Sequence, residues 1–184
     1  PTPRLASALG SIHLYTYRFQ FKNVEYSSGR NKTILCYTVE RPEGQVFHGY
    51  LEDEHASAHA EDAFFTSVLP QFLTSGSVTV TCYVSSSPCV NCAASVAQCL
   101  RRNKTVRIQL AVARLFQWEE PEIRRALKGL RSAGCQVRMM RGADYVYVWK
   151  NFVEPDDEHQ DFIPWEDLEE NARYYEEKLE EILR

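Results

Sequence analysis

VTVTCYVSSSPCVNCAASVAQCLRR, residues Val78 to Arg102, changes its periodicity halfway along. Val78 to Val84 reads as a strand. Ser87-Pro88 then opens a helix that runs to about Arg102, with Ser87 as its N-cap and Pro88 at the first helical position. Thr105 to Ala113 follows as a strand rich in β-branched residues. Strand, helix and strand in direct succession indicate an α/β domain.

The flanking sequence fills in the rest. Upstream, YTYRFQFKNVEY, Tyr15 to Tyr26, alternates aromatic and polar residues, which is a strand period. SSGRN supplies a turn, and Lys32 to Glu40 reads as the returning strand. Pro42-Glu43-Gly44 is a second turn before a short strand from Gln45 to Leu51. A helix is expected from about Ser57 to Leu69, closed by Pro70. Downstream, Pro121 to Ala133 is a helix stopped by Gly134, Cys135 to Met140 is a short strand, and Ala143 to about Phe152 is helical. An acidic linker spans residues 154–163. A last helix runs over 164–184, where Leu168, Ala172, Tyr175, Leu179 and Ile182 form one apolar stripe. A hairpin followed by alternating helices and strands predicts a three-layer α/β/α domain with a mixed sheet. That one domain covers residues 1–184, and 1–14 form a poorly defined N-terminal segment. An uncovered sheet edge at Lys32 to Glu40 would invite a second copy, through the edge or through loops. A monomer is equally open.

The net charge of −4 conceals an asymmetry. Residues 154–184 carry 13 acidic and 3 basic side chains, and residues 1–153 carry 12 and 18. A basic body attracts polyanions, and an acidic C-terminal helix opposes them or is a solvated face. No apolar run is long enough to span a bilayer, so no membrane role is expected. The chain opens on Pro1 rather than Met, which reads as a trimmed start with native residues upstream. No secretory leader is visible, and the six cysteines are expected in a reducing compartment, the cytoplasm or the nucleus. Asn31-Lys32-Thr33 and Asn103-Lys104-Thr105 match the glycosylation pattern by chance in that setting.

Cys89 and Cys92 share a face of the first helical turn, where a helix N-terminus favours thiolate. Alone, this pair is compatible with a disulfide, a redox couple, half a zinc site or packing. His59 and Glu61, at the start of the preceding helix, break the tie. An imidazole and two thiolates make a three-ligand zinc site with one position open. Glu61 is then free to move a proton. His-x-Glu followed by Pro-Cys-x-x-Cys is the signature of zinc-dependent nucleobase deaminases, and it stands here as His59-Ala60-Glu61 and Pro88-Cys89-Val90-Asn91-Cys92.

FQFKNVEYSSGRNKT, GYLEDEHASAHAEDAFF, YVSSSPCVNC, ARLFQWEEPEI, YVWKNFVE and PWEDLEEN together resemble the AID/APOBEC family, and within it the muscle-enriched vertebrate branch. The resemblance covers Phe19 to Arg184. It implies a cytidine deaminase fold with a five-stranded mixed sheet and about six helices. It also implies Zn2+ on His59, Cys89 and Cys92, with Glu61 as proton shuttle. The implied reaction is C-to-U conversion in RNA or single-stranded DNA. Ser86 stands where active members usually carry a Trp that walls the pocket. Phe116 stands where they usually carry a base-stacking Tyr, with Trp118 two residues on. Glu119, Glu120 and Glu122 follow at once and would repel phosphates. These departures keep a second reading open, a zinc-stabilised nucleic-acid-binding or scaffold protein with a vestigial site. Glu25, in a loop that borders the active site in this family, would reach the open zinc position as a fourth ligand. The alternative is an ordinary exposed hairpin residue. Arg30, Lys32, Arg101, Arg102, Lys104 and Arg114 are candidates for a phosphate path.

Overall fold

Side chains alternate across the central strands, and that alternation builds the layers. The computed structural model describes residues 11–24, 32–53, 59–73 and 76–184. In chain order the elements are β1 (Ile12–His13), α1 (Leu14–Phe21), β2 (Ile34–Glu40), β3 (Val46–Glu52), α2 (Ala60–Ala63), β4 (Val78–Val84) and α3 (Val90–Arg102). They continue with β5 (Val106–Val112), α4 (Pro121–Ser132), β6 (Gln136–Met139), α5 (Gly142–Phe152), β7 (Val153–Glu154) and α6 (Leu168–Leu183). The main sheet has the order β3-β2-β4-β5-β6. β2 is antiparallel to both neighbours, and β4, β5 and β6 are parallel.

Leu35, Tyr37 and Val39 of β2, Val80 and Cys82 of β4, and Ile108 and Leu110 of β5 point to one face. There they meet α2, α3, α4 and the later turns of α6. Ile34, Cys36, Tyr83 and Ala111 point to the other face, against Tyr17 and Phe21 of α1 and Tyr145, Val148 and Trp149 of α5. This is the expected three-layer mixed sheet, with six helices.

Several expectations are corrected. The strand expected over Tyr15 to Tyr26 is not found in its described residues, 15–24: α1 is helical, and its buried residues Leu14, Tyr17, Gln20 and Phe21 follow the helical period. Tyr15 and Phe19 face outward, so aromatics on both faces mimic a period of two. The hairpin is therefore β2–β3. Since β2 is flanked on both sides, Lys32 to Glu40 is no sheet edge; β3 and β6 are the edges. Pro70 does not close the helix begun at α2. A wide turn over Phe64–Val68 and a tight turn over Leu69–Phe72 continue it, and Pro70 sits early in the tight turn, where its missing N–H costs nothing. The expected start at Ser57 lies outside the described residues. Residues 12–14 are part of β1 and α1, and β1 pairs in parallel with β7.

α3 begins at Val90 with Cys89 as its cap, not at Ser87-Pro88. The Ser87 hydroxyl is taken by a partner across the fold. α6 begins at Leu168 rather than Pro164, because Trp165 turns inward. Its indole N–H donates to Asn23 Oδ1 at 2.7 Å, and Asn23 Nδ2 donates to Leu168 O at 3.0 Å. Gly49 of β3 lies opposite Tyr37 of β2. A Cβ at Gly49 would meet the Tyr37 hydroxyl and stand 2.5 Å from its ring Cζ. The Tyr37 ring is 4.7 Å from that of Phe64, at the end of α2, so this contact supports the segment that carries the site.

Candidate active site

α2 and α3 are short of partners at their N-termini, as every helix is, and the chain closes each start differently. Asp53, at the end of β3, accepts from the Ala60 N–H and, at 3.2 Å, from the Thr33 N–H. It thereby caps α2 and fixes the segment holding His59 and Glu61. The Ser95 hydroxyl donates to Asp62 Oδ1 at 2.8 Å, which stitches α2 to α3. His59 and Cys89 occupy the cap positions of the two helices with extended backbone, and Cys92 follows one turn into α3.

This brings three donor atoms together. His59 Nδ1 is 3.2 Å from Cys92 Sγ and 3.4 Å from Cys89 Sγ, and all three lie within 4.8 Å of one another. Tetrahedral neighbours at zinc–sulfur and zinc–nitrogen bond lengths stand about 3.5 Å apart, so the donor set fits a small tetrahedral cation in both chemistry and spacing. Glu61 falls outside that donor group and is buried beside it. Burial pushes its carboxyl up to about 7, and the Asp53 charge adds to the rise; its own backbone N–H and Cys92 oppose it. Burial, then Glu61 and Cys89, raise the Cys92 thiol far above its ordinary range. A bound cation inverts that preference and deprotonates a ligating thiol.

Ser85, Ser86 and Ser87 connect this centre to its surroundings. The Ser85 hydroxyl accepts from the Ile34 N–H at 3.0 Å. The Ser87 hydroxyl accepts from the Phe116 N–H at 2.7 Å, and the Ser87 N–H donates to Arg114 O at 2.9 Å. Ser86 is half-buried between these two anchors. Phe116 is exposed, and Gln117 after it adopts φ of 43°, a left-handed conformation that non-glycine residues rarely take. Across that bend Trp118 turns the other way. It packs on the large core, with Lys178 Nζ 5.2 Å and Arg124 Cζ 5.6 Å from its ring centroid. The structure therefore brings Phe116 beside the ligand loop and directs Trp118 to α4 and α6.

Arg114 is committed to the carbonyls of Gln20, in the last turn of α1, and of Lys22, just after it. Arg101 and Arg102 lie in the last turn of α3. Glu25 and Arg30 lie outside the described residues. Asp53, Asp62, Ser85, Ser87 and Ser95 were not anticipated. For Asp53 a signal existed, an acidic residue shortly before a helix start. The others depend on pairings distant in sequence.

An α/β/α sandwich with imidazole and thiolate donors at two neighbouring helix starts defines the cytidine deaminase-like class of domain. Comparison with known proteins narrows this. The family model described as APOBEC2 matches residues 9–184, and the chain belongs to that family. It is 54% identical over 173 residues to the mouse (Mus musculus) "C->U-editing enzyme APOBEC-2", covering 91% of this chain and 77% of that protein. The human (Homo sapiens) protein of the same name is 55% identical over the same shares. The mouse "DNA dC->dU-editing enzyme APOBEC-3" is 33% identical over 92% of this chain and 40% of its own length.

Proposed function

We propose that this chain is a zinc-dependent cytosine deaminase that converts C to U in RNA or single-stranded DNA. The observation that carries the reading is the convergence of His59, Cys89 and Cys92 beside a buried carboxylate that is not one of the donors. The names of the mouse and human relatives support it. His59, Cys89 and Cys92 would hold the metal, and zinc when bound would supply a water activated at neutral pH that adds to the ring carbon bearing the exocyclic amine. Glu61 accepts the proton released from that water and gives it to the cytosine ring nitrogen. It then assists the exocyclic amine to depart as ammonia, leaving a carbonyl in its place. Asp53 and the Asp62–Ser95 bond hold Glu61 and the ligands in register. Phe116 stacks on the base, and Ser86 leaves the neighbouring wall open. Free thiols at all six cysteines support a cytoplasmic or nuclear setting. Among the described residues, no helix is long and apolar enough to cross a membrane.

A second reading, a zinc-stabilised binding protein without turnover, is favoured by one observation. Glu119 and Glu120 are exposed directly after Phe116 and Trp118, where a phosphate backbone would pass. Uracil formation on a cytosine-containing RNA and single-stranded DNA pool separates the two, with wild type compared to Glu61→Ala at matched zinc content. Product from wild type alone establishes the deaminase. Nucleic-acid binding without product, equal in both proteins, establishes the alternative.

A further inference from the structure

β4 leads into Cys89 at one end of the sheet. At its other end, the starts of β4 and β5 meet the end of β2 around a cleft of about 550 Å3. Seven residues of strand separate the two ends, about 20 Å at the usual rise per residue. Arg41, Lys104 and Arg107 line the cleft together with the hydroxyl-bearing Ser77, Thr79 and Thr105.

The cations are not neutralised. None of the three takes part in an ion pair among the described residues. Arg41 Nε is shut off from solvent and has no hydrogen-bond partner there. The Arg41 guanidinium rests over Phe47, 5.5 Å from the ring centroid, which holds it in place. An N–H donor in that condition is costly unless something accepts from it. The one carboxylate on the cleft is Glu40, in register with Thr79, which is in turn in register with Arg107. The charge of Glu40 also reaches Tyr147 on α5, where after burial it is the second cause that raises the phenol.

Three cations against one carboxylate, with hydroxyls among them, match a tetrahedral oxyanion. We propose that the Arg41–Lys104–Arg107 cleft is a phosphoryl-binding site, separate from the deaminase centre. The phosphoryl group belongs either to a polynucleotide backbone or to free phosphate, and both offer the same oxygens to these donors. A strand held there and at Phe116 would run the length of β4.

The test uses two probes, inorganic phosphate and a fluorescein-labelled single-stranded deoxyoligonucleotide, on the whole chain with zinc bound. R41A/K104A/R107A is compared with the charge-matched surface control R125A/K128A/R173A. For the backbone source, the cleft variant loses about tenfold in oligonucleotide affinity, and its log–log salt slope falls by about 2, at roughly 0.7 per phosphate. The control keeps more of both. For the free-phosphate source, inorganic phosphate shifts the amide resonances of Thr79, Thr105 and Arg107 in wild type only, while oligonucleotide affinity is unchanged. Either pattern supports the site. Equal oligonucleotide binding by the cleft variant and control, with no phosphate-dependent shifts at those amides, overturns it. If loss of Arg41 lowers the melting temperature, K104A/R107A alters exposed residues alone and gives the same readout with a slope change of about 1.4. Binding is read without turnover, so this result is independent of whether Glu61 deaminates.

Discussion

Replacing Gly49 by alanine tests how tightly the sheet backs the active-site segment. The new Cβ would lie 2.5 Å from Tyr37 Cζ and 2.8 Å from Cε1, well inside contact distance. Tyr37 cannot simply swing aside. It is 8% exposed and braced by Phe64 at 4.7 Å and Phe72 at 6.5 Å between ring centroids. Forcing a methyl into such a place costs about 1–3 kcal/mol. Removing a glycine from a strand returns about 0.5–1 kcal/mol. The net loss is about 0–2.5 kcal/mol, centred on about 1 kcal/mol, which for a chain of this size lowers Tm by about 3 °C. Urea unfolding and thermal melting of zinc-loaded protein measure it. The cost is expected to vanish in a Tyr37→Leu background, where Gly49→Ala becomes neutral or stabilising. An unchanged Tm for Gly49→Ala, or an equal loss in both backgrounds, would refute the steric account.

Three further outcomes are expected. After chelation, iodoacetamide at pH 8 should modify the partly exposed Cys89 while burial keeps Cys36, Cys82, Cys92 and Cys135 protonated and protected; labelling of those four in folded protein, read by peptide mass spectrometry, would contradict it. Stability should fall at alkaline pH: burial raises the Cys135 thiol from 9.0 to about 12 and the Tyr83 phenol from 10.0 to about 12, so the unfolded state loses these protons first and the advantage of the fold shrinks as pH climbs from 9 toward 12. Tm measured against pH should descend as pH climbs from 9 to 12, and a level profile over that range counts against the assignment. Asn23→Ala should cost about 3 kcal/mol by leaving the Trp165 indole N–H and the Leu168 carbonyl unpaired in a buried site; a denaturation midpoint equal to that of wild type would mean that water replaces the amide.

The His59, Cys89 and Cys92 donor group was legible because its residues are local. His59 and Glu61 fall two apart, Cys89 and Cys92 three apart, and each pair rides on a single helix start. β4 was legible for a related reason, since its apolar residues are buried and turn residues bound it at both ends. α1 was not. Tyr15, Tyr17, Phe19 and Phe21 sit at every second position, and sequence alone does not tell which of them the fold will bury. The start of α3 was misplaced because Ser87 looks like a cap, whereas tertiary structure uses its hydroxyl for Phe116. The cleft at Arg41 was invisible for the same reason. Its residues come from the ends of three strands and the turns adjoining them, and only the sheet order makes them neighbours.

The Ser87–Phe116 hydrogen bond bears on how preparations of this protein behave. It ties the backbone that presents Cys89 to the backbone that presents the exposed Phe116 ring, so the positions of the donor cluster and of that ring are set together. A half-loaded sample should therefore act as a mixture of competent and incompetent molecules rather than as a uniformly weakened enzyme. Its yield of product should track zinc content linearly while its preference among neighbouring bases stays constant. Stoichiometry, determined before any specificity is compared, becomes the quantity on which such comparisons depend.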